Sequence, residues 1–464
     1  MSGNPLMMLG TRAMFAAQAG MQVTGHNIAN ASIDGYSRQR VEMVTAKGQF
    51  SGVGFFGKGS DVASVVRTYD EFLTRQAAST SSQAAFDKTR HDKLVQLEEA
   101  FPTGEDGLGH ASALLFNAMS DVASRPTDIA SRQVVIGKAT DLAARFNAFS
   151  NQIEAMQSGI SRDVELEVAA VNELAASVAK VNEQIAALKG LGQPPNDLLD
   201  ERDRLIHRLS GHVRVNAVAY EDGTYGIFIS GGQALVLGRE ANRLAAVGDP
   251  ADPRQTRVAV LESGGARILA SDMVASGSIG GLLKFQDDDV VAARGMLDQL
   301  ARSIAERVNA QQAEGFDLYG RPGSPMFDIA GSVRPAEVIR VVLADPRGLA
   351  AASAQADNGN AIAMTALRDE AFVSGGFFRT MTFGEGWASA MGDVGLRVQG
   401  ARAAMSISGS VARQAVEQRD ANAGVNLDEE AARLIQYQQA YQAAAKILQV
   451  AQKALETLLS TTSA

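Results

Sequence analysis

Four groups of residues have types and spacings that could do chemistry. Gly52, Gly54 and Gly57 in "GVGFFG" have the spacing of a dinucleotide fingerprint, and Gly52 to Gly57 followed by Lys58 nearly makes a phosphate loop. Either site needs a strand before it and a helix N-terminus after it to hold the phosphates. The next residues, "KGSDVASVV", are strand-like, and Gly59 stands where a Ser or Thr would have to ligate magnesium. A glycine-rich hairpin tip accounts for the pattern better. The five histidines, His26, His91, His110, His207 and His212, include no pair at one-turn helical spacing and no zinc-protease glutamate. Asp287, Asp288 and Asp289 could serve as an acid/base pair or a cation site. Consecutive on a helix they point in different directions, so a solvated face is expected. Ser177 and Lys180 have the Ser-x-x-Lys spacing of some acylating enzymes, but they lie in a regular helical seam without the companion motifs. No catalytic constellation emerges, and no cofactor is expected.

Composition narrows the classes further. A chain of 464 residues exceeds one compact core, so two to four domains are expected. With 46% hydrophobic and 20% charged residues it should fold. A net charge of -9 and a pI near 5.3, without any dense Lys/Arg block, argue against nucleic acid and anionic membranes as partners. The absence of cysteine excludes disulfides and thiolate chemistry. No apolar run reaches the roughly 18 residues that would span a bilayer, and the N-terminus lacks the basic and apolar regions of a cleaved secretory signal.

The elements that would position such residues are mostly helices. Met7, Met14, Met21 and Ile28 recur every seven residues, with Gly10, Ala17 and Thr24 as a complementary small-residue column. Near the other end, Leu427, Leu434, Tyr441, Leu448 and Leu455 form one column, and Tyr437, Ala444, Ala451 and Leu458 the other. Both terminal regions therefore read as coiled-coil seams. Asn426 reads as an N-cap, with Asp428, Glu429 and Glu430 favouring the positive end of the helix dipole. The fold class expected is mainly α with β insertions. Residues 1–68 and 427–464 form a terminal coiled-coil and hairpin domain; 69–211, 281–320 and 377–426 a helical rod domain; 212–280 an inserted β domain; and 321–376 a minor mixed insertion. Within the rod the periodicity predicts helices from about 69 to 101, from 111 to 157, and a third carrying Val164, Val171, Val178 and Ile185.

"NIANASIDGYSRQRVEM" resembles the signature that follows the first helix in the flagellar axial proteins of rod, hook and junction, and "GYSRQ" is similar to the hook-associated protein 1 branch of that family. "GVNLDEEAARLIQYQQAYQAAAKILQVAQKALETLL", "PPNDLLDERDRLIHRL" and "GSIGGLLKFQDDDV" resemble the same branch. The resemblance implies a non-catalytic structural protein at the hook-filament junction of the bacterial flagellum, extracellular, exported by the flagellar type III apparatus without a cleaved signal. It implies a homo-oligomeric ring, contacts with the hook protein and hook-associated protein 3, and an export chaperone at the C-terminal region. The terminal columns would be the assembly interface, ordering on assembly. Another axial component, such as hook or distal rod protein, and an enzyme remodelling cell wall or nucleotide stand as alternatives.

Asn27, Asn30, Gly35, Tyr36 and Arg38 then read as a hinge motif. Gly35 can take the positive φ that ends the helix; Asn30, Ser32 and Asp34 can satisfy freed backbone groups; Tyr36 can pin the turn. Arg38 and Arg40 are left to bond a neighbouring subunit or to sit solvated.

Overall fold

The computed structural model describes residues 5–50, 54–329, 331–354 and 357–462. Helices α1 (Pro5–Asn30), α2 (Glu71–Glu99), α3 (Leu108–Ser124), α4 (Ile129–Leu188) and α5 (Asn196–His212) come first, interrupted by strands β1 (Gln39–Thr45), β2 (Gln49–Phe50), β3 (Phe55–Phe56) and β4 (Ser60–Arg67). Strands β5 (Val215–Ala219), β6 (Tyr225–Ile229), β7 (Ala234–Leu237), β8 (Glu240–Ala241), β9 (Arg243–Gly248), β10 (Thr256–Glu262) and β11 (Gly265–Ile268) follow. Helices α6 (Gly277–Lys284) and α7 (Val291–Ala313), the short α8 (Pro335–Val338) and α9 (Gly359–Ala366), and the long α10 (Phe383–Ala423) and α11 (Leu427–Thr462) complete the helical set. Two minor antiparallel pairs, β12 (Phe327–Asp328) with β13 (Arg340–Val341) and β14 (Val373–Gly375) with β15 (Phe378–Met381), lie among the later helices. The fold is mainly α with β insertions.

The chain divides into two compact units. One comprises Met1–Ala84, Ala170–Leu244 and Ser408–Ala464, the other Ala85–Ala169 and Ala245–Ile407. These boundaries fall inside α2, α4, β9 and α10, so helices expected to form one rod contribute to both units.

The rod helices break where backbone chemistry requires it. Periodicity places an interruption between 157 and 164, yet α4 runs unbroken from Ile129 to Leu188. The interruption comes instead at Pro126, because the residue before a proline is driven out of the helical region and Arg125 sits at φ -138°. Asp128 restarts the helix by accepting the Ser131 N–H at 3.0 Å. The stretch read as a β insertion holds two antiparallel sheets, β5-β6-β7-β8 and β11-β10-β9. In the first unit the buried Asn182 of α4 clips the four-stranded sheet, donating to the carbonyls of Tyr225 and Gly238 at 2.8 and 2.7 Å and accepting the Tyr225 N–H.

In the second unit Trp387 stacks on Phe149, centroids 5.9 Å apart and planes within 9°, with Phe101 beside it. Gly281 lets α6 meet α2, since a Cβ there would lie 2.6 Å from the Phe86 carbonyl oxygen. Between α6 and α7 one π-helical turn spans Phe285–Val290, and here the aspartate expectation fails. Asp289 is fully buried and receives Arg90 at 2.9 Å and Arg397 at 2.9 Å. Asp287 pairs with Arg257 at 2.6 Å and Asp288 with Lys284. The three carboxylates do point apart, but each meets a cation, and one is structural core. Neighbouring Gln286, also buried, accepts the Thr256 N–H and donates to its carbonyl, holding the start of β10.

Asp298 on α7 is the titrating group with a stability consequence. Burial pushes its carboxyl up to about 6, against the opposing pull of the Ala336 N–H and of Arg294 and Arg302. Raised above its unfolded value, it favours the folded state fully only below pH 4 and loses that contribution as pH rises through 6. Asp298→Asn, which can still accept the Ala336 N–H, should therefore gain thermal stability over the parent progressively between pH 4 and 7. Melting followed by the near-UV signal of Trp387 at several pH values checks this; a constant difference between variant and parent would exclude it.

Candidate assembly site

Helices α1 and α11, from the two terminal regions of the sequence, pack against each other within the first unit. A Cβ on Gly10 would lie 2.9 Å from Leu448 Cγ, and one on Gly20 would lie 2.5 Å from the Tyr437 ring. Asn27 bonds Glu430 at 3.0 Å. Numbers rising along α1 meet numbers falling along α11, so the pair is antiparallel. The seam of α1 runs Gly10, Ala13, Ala17, Gly20, Thr24, Asn27, at alternating spacings of three and four; all but the half-buried Ala13 are buried. Glycine at 20 allows the Tyr437 ring to lie on the backbone, which any larger residue would push away.

One α1 column differs from the sequence expectation. Gly10, Ala17 and Thr24 are at the seam as expected, but their companions are Ala13, Gly20 and Asn27. Met7, Met14, Met21 and Ile28 lie one position further round the helix and are half-buried along its flank. Flexible methionines carry the stronger hydrophobic signal, yet only small residues permit the backbone separation that the tyrosine seam demands. On α11 the seam runs Glu430, Leu434, Tyr437, Tyr441, Ala444, Leu448, Ala451. Glu430, Ala444 and Ala451 are buried and the others half-buried. Leu427 and Leu455, at the ends of the column, are exposed. The side chain of Leu458 lies outside the described residues.

Glu430, expected only to favour the helix dipole, sits seven residues before Tyr437 and so belongs to the same column. Its placement is explained by Asn27. The Asn27 amide donates to Glu430 Oε2 at 3.0 Å and to the Gln39 carbonyl at 2.8 Å, and its Oδ1 accepts from the Tyr36 hydroxyl at 2.8 Å and the Gln39 N–H at 2.9 Å. One buried side chain thus ties α1, the following loop, β1 and α11 together.

The loop has the conformation its residues allow. Gly35 adopts φ +74°, and a Cβ there would also lie 2.6 Å from Arg204 Cγ. Asn30 donates to the His26 carbonyl at 3.0 Å, and backbone bonds from Ile33 to Asn30 and from Tyr36 to Ile33 absorb other freed groups. Ser32 and Asp34, expected to help, remain exposed. Tyr36 pins the turn by hydrogen bonding rather than by packing alone. Arg38, expected to face a neighbouring subunit or solvent, bonds Glu429 at 3.0 Å within the chain, while its N–H donates to the Ala423 carbonyl at 2.7 Å.

A second set of contacts is absent from the sequence expectations. Asp197, Asp200 and Asp203 recur every three residues on α5 and present one acidic face. Asp197 accepts from Gln39 Nε2 at 3.0 Å, Asp200 from the Ser37 N–H at 3.0 Å, and Asp200 and Asp203 share Arg67 Nη1 at 2.7 Å each. Burial pushes the Asp203 carboxyl above its usual range, against the attraction of Arg67. The three-residue spacing is the signal that could have found them. Beneath the loop lies an open cavity of about 980 Å³, lined in part by Tyr36, Tyr69, Tyr225, Arg204 and Arg419. Its charges are largely committed, Arg204 to Glu201 and Arg419 to Asp420.

Gly54 and Gly57 lie in and beside the β2–β3 hairpin, Gly52 falls outside the described residues, and β4 rather than a helix follows. A pyrophosphate would find no helix N-terminus there. Among the described residues no three His, Asp or Glu side chains are grouped as metal ligands would be, and no helix is long and apolar enough to cross a membrane.

Asn27→Ala would leave the Gln39 N–H and carbonyl, the Tyr36 hydroxyl and Glu430 without their shared partner. At about 1–3 kcal/mol for each buried group that stays unpaired, the first unit should lose at least ~3 kcal/mol. Chemical denaturation of the full chain, with proteolysis in the 31–38 loop as a second readout, checks it; an unchanged midpoint would refute the role given to this amide.

Residues 94–327, half of the chain, match the family model described as flagellar hook-associated protein FlgK helical domain. Residues 418–461 match the one described as flagellar basal body rod FlgEFG protein C-terminal. The chain is 27% identical to flagellar hook-associated protein 1 of Salmonella typhimurium, across 96% of this chain and 97% of that protein, and 27% identical to its counterpart in Bacillus subtilis, across 97% and 96%. The solved structure of the flagellar hook junction protein FlgK from Burkholderia pseudomallei matches with a TM-score of 0.68 at 17% identity, over 75% of this chain and 99% of that one, which speaks for a shared fold. The antiparallel terminal helices and the helical middle are thus those of a flagellar axial subunit, and the chain belongs to the flagellar hook-associated protein FlgK family.

Proposed function

We propose that this chain is a non-catalytic structural subunit joining the hook to the filament of the bacterial flagellum, assembling with copies of itself through the α1/α11 pair. The observation that carries this reading is the exposed apolar outer face of that pair. Phe15 on α1 and Ile435 and Val450 on α11 are 60%, 55% and 65% exposed although the two helices already cover each other's seam. Helices that keep a second apolar face uncovered gain stability only when further helices pack on it. In a ring of such subunits the interface columns Met7, Met14, Met21 and Ile28, and Leu427, Leu434, Tyr437, Tyr441, Leu448, Leu455 and Leu458, supply the seam and its flanks. Further helices packing on that outer face would add to the order of the terminal pair. The family resemblance supports the hook protein and hook-associated protein 3 as axial neighbours, an export chaperone at the C-terminal helix, and type III export to the extracellular flagellum.

Leu434→Asp combined with Leu448→Asp places two carboxylates against α1, one of them beside Gly10. In a strain of the source bacterium lacking its own copy, this variant should fail to enter the flagellum or restore motility. The purified protein should retain the near-UV signal of Trp387, which lies in the other unit. Normal incorporation would refute the assembly role; loss of the Trp387 signal would refute the separation between terminal seam and second unit.

A further inference from the structure

The ribbon of β1 and β4 has no core of its own. Its base, where Gln39 pairs with Arg67, is held by Asn27 near the C-terminal end of α1. Its far end, where Thr45 pairs with Ser60, lies beside the first turns of α1: Asp61 meets Arg12 at 3.3 Å, and a Cβ on Gly59 would lie 2.9 Å from Leu9. The ribbon therefore follows α1 backwards and carries the β2–β3 hairpin to the end of the helix pair where α11 finishes. There Phe50, Phe55 and Phe56 are 62%, 81% and 60% exposed, the first two with ring centroids 5.4 Å apart. Met43 and Val62, opposite each other in the ribbon, are exposed too. A two-stranded ribbon alone is marginal in water, and a contiguous exposed aromatic cluster marks a surface that binds.

The same chain offers a surface of matching chemistry. Between Ala46 and Ser60 the charged residues are Lys47 and Lys58, with no acid. At the opposite end of the antiparallel helix pair Leu427, the first residue of α11, is 55% exposed and Ile33, three residues past the end of α1, is 48% exposed, while Asp34 and Asp428, both exposed, have no ion pair among the described residues. From Leu9 to Ile28 the helix rises roughly 30 Å at 1.5 Å per residue, so a chain cannot bring its own hairpin tip to its own patch. We propose that the phenylalanine tip of one copy seats on the Ile33/Leu427 patch of a second copy, with Lys47 and Lys58 facing Asp34 and Asp428. Tip and patch are different surfaces, so the contact is heterologous and propagates from copy to copy instead of closing a two-fold dimer. It rests on the self-assembly reading above and adds an end-to-end contact distinct from the helix faces.

The chain has no cysteine, so introduced pairs report on this geometry directly. Phe55→Cys with Leu427→Cys is expressed in the deletion strain, the surface flagellar fraction is oxidised with copper phenanthroline, and the products are immunoblotted. A ladder of dimers and larger species is expected, with neither single variant giving one. Phe15→Cys with Ile435→Cys, across the outer helix faces, serves as the comparison pair. A ladder from that pair alone, or none from a fraction that contains the protein, overturns the tip contact and leaves self-assembly standing. A ladder from Phe55→Cys by itself also overturns it, since that is tip meeting tip. Absence of the protein, unsubstituted or substituted, from the surface fraction overturns the assembly reading and this contact with it.

Discussion

The Asn27 side chain has two donors and an acceptor with two lone pairs, and all are used. An amide buried this completely is tolerated only when each hydrogen bond is made. That requirement sets the register of α11 against α1 through Glu430, places Gln39 and hence the whole β1/β4 ribbon, and fixes the turn at Gly35 through Tyr36. Polar groups at an otherwise apolar seam lower stability relative to a leucine but exclude the alternative registers. For a helix pair lined by Gly10, Ala13, Ala17 and Gly20 the exclusion matters, because small residues slide past each other with little steric penalty.

The narrow seam has a further consequence. Glycines and alanines bring the two helices close but bury little apolar area, and the larger side chains of both helices are left on flanks and outer faces. Phe15, Ile435 and Val450 face outward for this reason, as do the ribbon residues Met43 and Val62. The first unit is thus an assembly element with its register already set internally and most of its adhesive surface still turned to the outside. Within that unit the loop and ribbon are held to α5 by the same principle with charges: Asp200 and Asp203 converge on Arg67, and the Ser37 N–H completes the shell of Asp200.

The second unit uses buried polar groups for specification in a different geometry. The π turn at Phe285–Val290 rotates successive side chains so that Gln286 reaches the backbone of Thr256 while Asp289 turns inward between Arg90 and Arg397. Each group is satisfied, so the arrangement rigidifies the packing of α6 and α7 without generating a reactive site. A row of three aspartates that suggests chemistry when read along the chain is, in space, three separate ion pairs.

Period and punctuation in the sequence were enough to establish much of this protein. Seven-residue spacing marked both terminal helices and all of the α11 seam from Leu434 to Leu448, the strand-like run after the glycine-rich tip marked β4, and Gly35 marked the turn, because these features depend on residues close by in the chain. Tertiary structure decided which column of α1 faces inward. Met7, Met14 and Met21 are the more hydrophobic choice, but the bulk of Tyr437, some 400 residues distant in sequence, selects the glycine face. It also decided that Glu430 and Asp289 are buried, that Arg38 is paired within its own chain, and that α4 continues past residue 160. A carboxylate enters a core only when cations or amides from remote segments meet it there, and no local pattern records where those partners will be.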